Sequence, residues 1–587
     1  MVALAQAILC RVRADPRPCP PLTANNRIAL PMDSQRPFLY LTLLFMLFLI
    51  WTTWQQDHAP KPEPTVATSG AAPAAGANAA QDVPVQGSVP ALPGNAAVPV
   101  SGESGGGQVV TVRTDTLVLR INTRGGEVLE ADLPTYPVSL EQADKPVRIL
   151  DMNGRNYVAQ SGLQHLAVEG QDAKTLAPDH LATYTAAQNE YKLADGQNEL
   201  VVPLTWQGAN GVTVTKRFVF KRGSFLVDVE HEVKNGSGNV WSATEYRQLK
   251  HGHVAEGSSL FGVYAYTGAA YYHEGAYAKL SFSDMDEKKL DETITGGWVA
   301  MQEHYFLSAW IPPRDQQGQY YSMVTQNQGT KGYVLGMRSP VQQVAPGATG
   351  VFKSGFYVGP KDQDTLAGIA DALDLTVDYG IFAFISKPIF WLMQMIHKVV
   401  GNWGWTIIFL TIIIKLLFFY PSAMSYKSMA KMKAVSPKLK EINERFADDP
   451  QGKQKAMMEI YRKEKINPLG GCLPILIQIP VFMGLYWVLL ESVELRQAPW
   501  LLWYKDLSIM DPYFVLPVIM GASMYFQQLL NPPQVDPMQQ KIFQFMPVIF
   551  TVMFLWFPAG LVLYWVVNNI LSMAQQWYIN KKIVGHA

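Results

Sequence analysis

Cysteine is scarce in this chain of 587 residues: there are three, at positions 10, 19 and 472, and none from 20 to 471. That excludes a disulfide framework, and no pair has metal-ligand spacing. A folded domain in the long cysteine-free interval must hold without cross-links. Charge is also thin. Asp, Glu, Lys and Arg supply 16% of the residues, against roughly 25% in soluble proteins. The formal net charge is zero, so no global field favours nucleic acid. The length excludes a single compact core.

What replaces charge is hydrophobic surface, 48% of the residues and unevenly spread. Apolar runs at 403–420, 469–490, 512–530, 542–557 and 560–577 approach the length of bilayer-crossing helices. A further run at 38–54 follows Arg36. The next residues, Gln55, Gln56, Asp57 and His58, offer no small-x-small cleavage site, and no cysteine follows for lipidation. That run therefore reads as an uncleaved membrane anchor, within a segment 32–54. Residues 1–31 resemble neither a helix hairpin nor a domain, and Met32 is the expected translation start.

Residues 55–107 are rich in Ala, Pro, Gly and Ser, with almost no aromatics. They bury too little surface to repay ordering and read as a flexible tether. From 108 to 360 the pattern alternates. Val212, Val214, Phe218 and Phe220 share one parity around Lys216, and Asn235-Gly236 is a strong turn signal. His251 and His253 lack a third ligand and read as a surface turn rather than a metal site. Residues 361–400 form a connector ending in an amphipathic helix expected at the outer membrane interface, its apolar run interrupted by Lys387-Pro388. The expected fold is a polytopic α-helical membrane bundle plus a large exported antiparallel β-sandwich domain. The bundle has six spans, five of which form the C-terminal core at 401–582.

Orientation follows from local charge. The loop 423–468 carries eleven Lys and Arg against six Asp and Glu, which places it in the cytoplasm. Both termini then fall inside and the β domain outside. Within that loop Met432, Val435, Leu439, Ile442 and Phe446 recur at steps of three and four, an apolar seam through Pro437. After a turn at 447–452, a second helix is expected over 453–465, giving a basic helical hairpin. A solvated loop explains the charge but needs no seam.

Lys415 is the one charge inside 403–420. A cation near mid-bilayer costs about 2.5–3.5 kcal/mol on insertion scales and usually faces a wet cavity. Yet Lys415 lies about 8 Å of helix rise from Tyr420, so its stem could also reach the headgroups. Thr411, one helical turn before Lys415, and Gln478, Gln527, Gln528, Tyr564, Asn568 and Asn569 add polar groups within the spans. Each alone is more often an interhelical hydrogen bond than a site. Together with Lys415 they could line a hydrophilic groove.

At these residues the chain resembles the YidC membrane-protein insertases. The stretches that carry the resemblance are NWGWTIIFLTIIIK, YKSMAKMKAVSPKLKEINERF, KINPLGGCLPILIQIPVFMGLYW, SVELRQAPW, VDPMQQKIFQFMPVIFTVMFLWFPAGLVLYW and MDSQRPFLYL. The long domain after a first anchor is similar to the Gram-negative branch, whose exported domain resembles sugar-mutarotase supersandwiches. The resemblance implies an inner-membrane chaperone-insertase without cofactor, nucleotide or metal. Its partners would be nascent membrane proteins and lipids, with the Sec translocon and the ribosome alongside. The family's groove arginine falls at Lys415, which keeps the charge but loses the bidentate fork. Thr411, Gln478, Tyr564 and Asn568 would share the groove. A client helix would leave past Phe482, Phe543 and Met546, and the hairpin seam of Met432, Leu439, Ile442 and Phe446 would receive it.

Two other classes compete. A solute or ion transporter would use Lys415 as counter-ion, but no inverted repeat is evident. An envelope enzyme acting on sugars would need an acid/base pair, and none is identifiable. The start at Met32 is directly testable: mass spectrometry of the mature N-terminal peptide should begin there, and peptides from residues 2–31 would refute it.

Overall fold

The computed structural model describes residues 107–581, apart from 167, 169–172, 253–265, 328–329, 447–448, 465–472 and 532–536. The expected anchor, all but the last residue of the tether, His253 and Cys472 lie outside the described residues.

The β domain is two packed antiparallel-rich sheets of eleven and nine strands among the described residues. The strands used below are β1 (Glu127–Pro137), β2 (Val158–His165), β3 (Val212–Lys221), β4 (Leu226–Asn235), β5 (Trp241–Gly252), β6 (Phe306–Ile311) and β7 (Thr349–Pro360). One sheet runs in the order β6, β7, β4, β3, and the other contains β5, β2, β1. The alternation expected in β3 is present: Val212, Val214, Phe218 and Phe220 are all buried. The β4–β5 turn is held by Asn235, whose Nδ2 donates to Val344 O at 2.9 Å and Asn239 O at 2.8 Å.

Lys216 shares the buried parity. Its Nζ donates to Gly125 O at 3.0 Å and Ser161 O at 2.9 Å, and burial pulls the ammonium down to about 7. His231 Nδ1 on β4 meets Glu245 Oε1 on β5 at 2.9 Å, and Arg247 pairs with the same carboxylate. These buried polar groups bridge the two sheets: Lys216 through the backbone carbonyls, and His231 and Arg247 through the shared Glu245 carboxylate. His251 corrects an expectation. It is not in a surface turn but buried on β5, its ring 4.4 Å from that of Tyr157 and its Nδ1 2.6 Å from Gly252 O. Burial holds it neutral, at about 4. A polar residue on the inward parity of a strand follows the strand.

The helical region comprises α1 (Ala383–Val400), α2 (Trp403–Leu417), α3 (Phe419–Arg445), α4 (Pro450–Lys463), α5 (Leu473–Glu491), α6 (Val515–Leu530), α7 (Pro537–Phe554) and α8 (Ala559–Ile579). Helix α1 runs through Pro388, so the interruption expected at Lys387-Pro388 does not end it. As the sixth residue of the helix the proline forgoes the bond to Phe384 O, and the helix continues past it. Among the described residues no single helix is long and apolar enough to cross a membrane, whereas α2 and α3 qualify only as a pair bent by 68°. The stretch 403–420 is therefore not one straight helix. Pro421 explains the break: it cannot donate to Leu417 O, and its ring crowds that carbonyl. Helix α4 begins at Pro450 rather than 453, because Asp449 Oδ1 accepts from Gly452 N at 3.0 Å and the proline suits the first helical position.

Helix α8 is the centre of the core, packed on α2 and α6. Small residues set the approach: a Cβ on Gly521 of α6 would collide with the Thr551 side chain of α7. Asn569 Nδ2 donates to Ser523 Oγ at 2.9 Å across α8 and α6, with both side chains buried.

The segment after α5 is pinned to the β domain. Arg496 donates to Pro137 O at 2.7 Å and Val138 O at 3.0 Å, just past β1, and Gln497 Nε2 donates to Pro137 O at 3.0 Å. His304 Nε2 lies 2.9 Å from Leu490 O. Lys361, which follows β7, is buried 3.6 Å from the Glu491 carboxylate and donates to Thr376 O at 3.2 Å. Glu494 faces this joint, where burial and the charges of Asp362 and Asp364 push its carboxyl up to about 8. Tyr136, Tyr379 and Arg496 are the other titratable groups that it influences or adjoins.

Two outcomes follow. Glu494 is neutral in the fold below about pH 8, whereas a free glutamate ionises from about 4.5. Folded stability should thus fall as pH rises across that window. Thermal unfolding of Glu494→Gln should lack that part of the fall, at about 2–4 °C per kcal/mol for a domain of this size; superimposable pH curves would refute it. For the core, a double-mutant cycle of Asn569→Ala and Ser523→Ala should give a coupling of about 0.6 kcal/mol, with about 1.7 as an upper bound.

Candidate functional site

The site forms along α8, on which α2 and α5 both pack. Along α8, Tyr564, Asn568 and Ser572 recur every four residues and so share one face. All three are buried. Helix α2 brings Lys415 to this row in its last turn, beside the bend. Lys415 Nζ donates to Ser572 Oγ at 2.7 Å, and Ser572 Oγ donates in turn to Asn568 O at 2.7 Å. Lys415 is half-buried and forms no ion pair among the described residues.

The other groove candidates divide. Gln478 of α5 reaches Tyr564 OH with its Nε2 at 3.5 Å, closing the row on its second side. Thr411, one turn before Lys415, is buried, and its hydroxyl donates to Ile407 O of its own helix at 2.7 Å. Asn568 contributes its backbone carbonyl to Ser572. Gln527 and Gln528 fall in the last turn of α6, whereas the bonds from α8 to α6 run through Asn569 to Ser523 Oγ and through Gln576 to Leu530 O. Asn569 makes the interhelical hydrogen bond that is the usual fate of such a residue. Ser572 was not singled out from sequence, although its place four residues after Asn568 was a usable signal. Lower down, Gln575 Nε2 donates to Phe419 O at 3.4 Å, near the bend.

The three apolar candidates also separate. Phe482 is half-buried, stacked on Tyr564 with centroids 6.3 Å apart and edge-on to Trp565 at 4.8 Å. It packs beneath the polar row instead of facing outward. Phe543 is exposed and Met546 half-buried on α7, whose outer face also presents Phe545, Val548, Ile549 and Val552. Helix α6 exposes Val518, Tyr525, Phe526 and Leu529. Such broad apolar faces require an apolar neighbour.

Helix α3 continues through Pro437 and packs on α5 and α8. On its seam Val435 and Leu439 are buried and Met432 and Ile442 half-buried, whereas Lys431, Lys433, Lys438 and Lys440 are exposed. Phe446 lies one residue beyond the helix end. Lys438 Nζ meets Glu464 Oε1 at 3.1 Å, an exposed pair worth little by itself. Helix α1 has two apolar faces. Ile389, Phe390 and Met393 are buried, and the helix packs on α2 and α5. Trp391, Met395 and Val399 face outward, with Val399 87% exposed. Ile381 and Phe384 extend that outer stripe, Ile381 from the turn just before the helix.

Comparison with known proteins matches both regions. The family model described as the YidC periplasmic domain covers residues 109–392, and that of the 60Kd inner membrane protein covers 395–586. The membrane protein insertase YidC of Thioalkalivibrio sulfidiphilus is 51% identical over 556 residues, 94% of this chain and 99% of that protein. The namesake from Methylococcus capsulatus is 47% identical over 561 residues, covering 94% and 99%. A crystal structure of an active YidC insertase with its first transmembrane domain resolved aligns over 80% of this chain and 95% of its own, at 17% identity and a TM-score of 0.36. The chain belongs to the YidC family of inner-membrane protein insertases, and its β-sandwich is the family's periplasmic domain.

Proposed function

We propose that Lys415 is the transient anchor for polar tails of nascent membrane proteins on their way across the bilayer. The observation that carries this reading is the state of its ammonium, set among apolar helices with one neutral hydrogen-bond partner and no described carboxylate. An ammonium has three N–H donors. One is committed to Ser572, and two are left for an incoming carboxylate. A tail that pauses in a half-wet groove leaves water in two smaller steps. The client's hydrophobic helix partitions into lipid along the exposed faces of α6 and α7, and that partitioning supplies the driving force.

The reading includes six crossings, with both termini and the α3–α4 hairpin in the cytoplasm and α1 lying on the outer interface. Short helices support it. Helix α2 spans about 22 Å and α6 about 24 Å, less than the roughly 30 Å hydrocarbon core, which favours a locally thinned bilayer. The basic hairpin is the natural place for a ribosome or an emerging client to dock, and the Sec translocon is a reasonable companion for longer clients. Solute transport with Lys415 as counter-ion has no specific observation in its favour.

In reconstituted vesicles Lys415→Ala should reduce insertion of clients with acidic translocated tails by about tenfold or more, equivalent to ~1.4 kcal/mol. Lys415→Arg should retain most activity. Protease protection of the translocated tail is the readout, and full activity of the alanine variant would remove the groove cation from the mechanism.

A further inference from the structure

Lysine carries its charge on a flexible four-carbon stem, so a groove built on lysine needs something to hold that charge in place. We infer that Ser572 is the positioning residue for Lys415, fixing the ammonium in the groove and facing it with an acceptor that cannot compete for the client. This rests on the reading of Lys415 just given.

The chemistry of the contact sets the roles. A serine hydroxyl has one proton and two lone pairs. The proton is spent on Asn568 O at 2.7 Å, one turn back along α8, so towards Lys415 the oxygen can only accept. Its polarity is thereby locked, and it has no proton to offer a carboxylate. Ser572 thus joins α2, through Lys415, to its own α8. Its neutrality matters as much as its position. An aspartate there would hold the ammonium equally well but would neutralise it, leaving little attraction for an acidic tail. Without any acceptor, Lys415 could extend past the bend after Leu417 towards the headgroups.

Two reconstituted clients, identical except for an acidic or an uncharged translocated tail, separate positioning from folding. Ser572→Ala should lower the ratio of acidic-tail to neutral-tail insertion by about tenfold, as expected for a lost hydrogen bond to a charged group. Ser572→Thr should restore the ratio, because a helical threonine can also bond the carbonyl four residues back. Ser572→Asp should lower it although the tether is kept. Adding Ser572→Ala to Lys415→Ala should lower it no further. An unchanged ratio in Ser572→Ala, with Lys415→Ala defective, overturns the positioning role and leaves the groove reading intact. Equal loss on both clients without rescue by threonine marks a structural residue and overturns it too. Full activity of Lys415→Ala overturns both.

Discussion

A polar group among apolar helices has no water to bond, so each must find its partner inside the protein or pay the full cost of desolvation. The helical core is organised by that constraint. Thr411 turns back to its own backbone, Asn569 crosses to Ser523, and Gln478 reaches Tyr564. Lys415 is the exception in charge. Its single described partner is a neutral hydroxyl. A fully compensated cation would be inert, and an uncompensated one would leave for the headgroups. On the proposed reading, one neutral tether lies between those limits.

The same constraint acts differently at the joint with the periplasmic domain. There polar groups pair across the joint: Arg496 and Gln497 cap the end of β1, and Lys361 is buried against Glu491. Buried pairs of this kind contribute specificity of docking more readily than net stability. The β domain is therefore held in a defined pose on the segment that leaves α5, the helix that supplies Gln478 to the polar row. Inside the domain the linked charges of Lys216, His231, Glu245 and Arg247 bridge the two sheets.

Much of this was legible in advance, for particular reasons. The β domain announced itself through period-two burial in strands such as β3, where even Lys216 obeys the parity, and through the Asn235 turn. The seam on α3 was legible because steps of three and four project to one helical face. The failures were equally physical. His251 shares the inward parity of Leu249, but a histidine beside Lys250 and Gly252 reads as polar until its distant ring partners Tyr157 and Phe282 are in place. The break after Leu417 was written in Pro421, but an apolar run read by hydropathy alone hides it. Ser572 was missed because an isolated serine in an apolar helix has many harmless explanations.

Sequence alone determined the division into an alternating, cysteine-free domain and an apolar helical region, because hydrophobic period and composition are local properties. It also determined the family, since the motifs are contiguous, and it placed a lone lysine within an apolar run. Tertiary structure decided the partners. That Lys415 meets Ser572, 157 positions away, that Arg496 closes on Pro137, and that Phe482 packs inward while Phe543 faces out all depend on which helix faces turn toward each other. Side-chain spacing fixes what shares a face, and only packing fixes what that face meets.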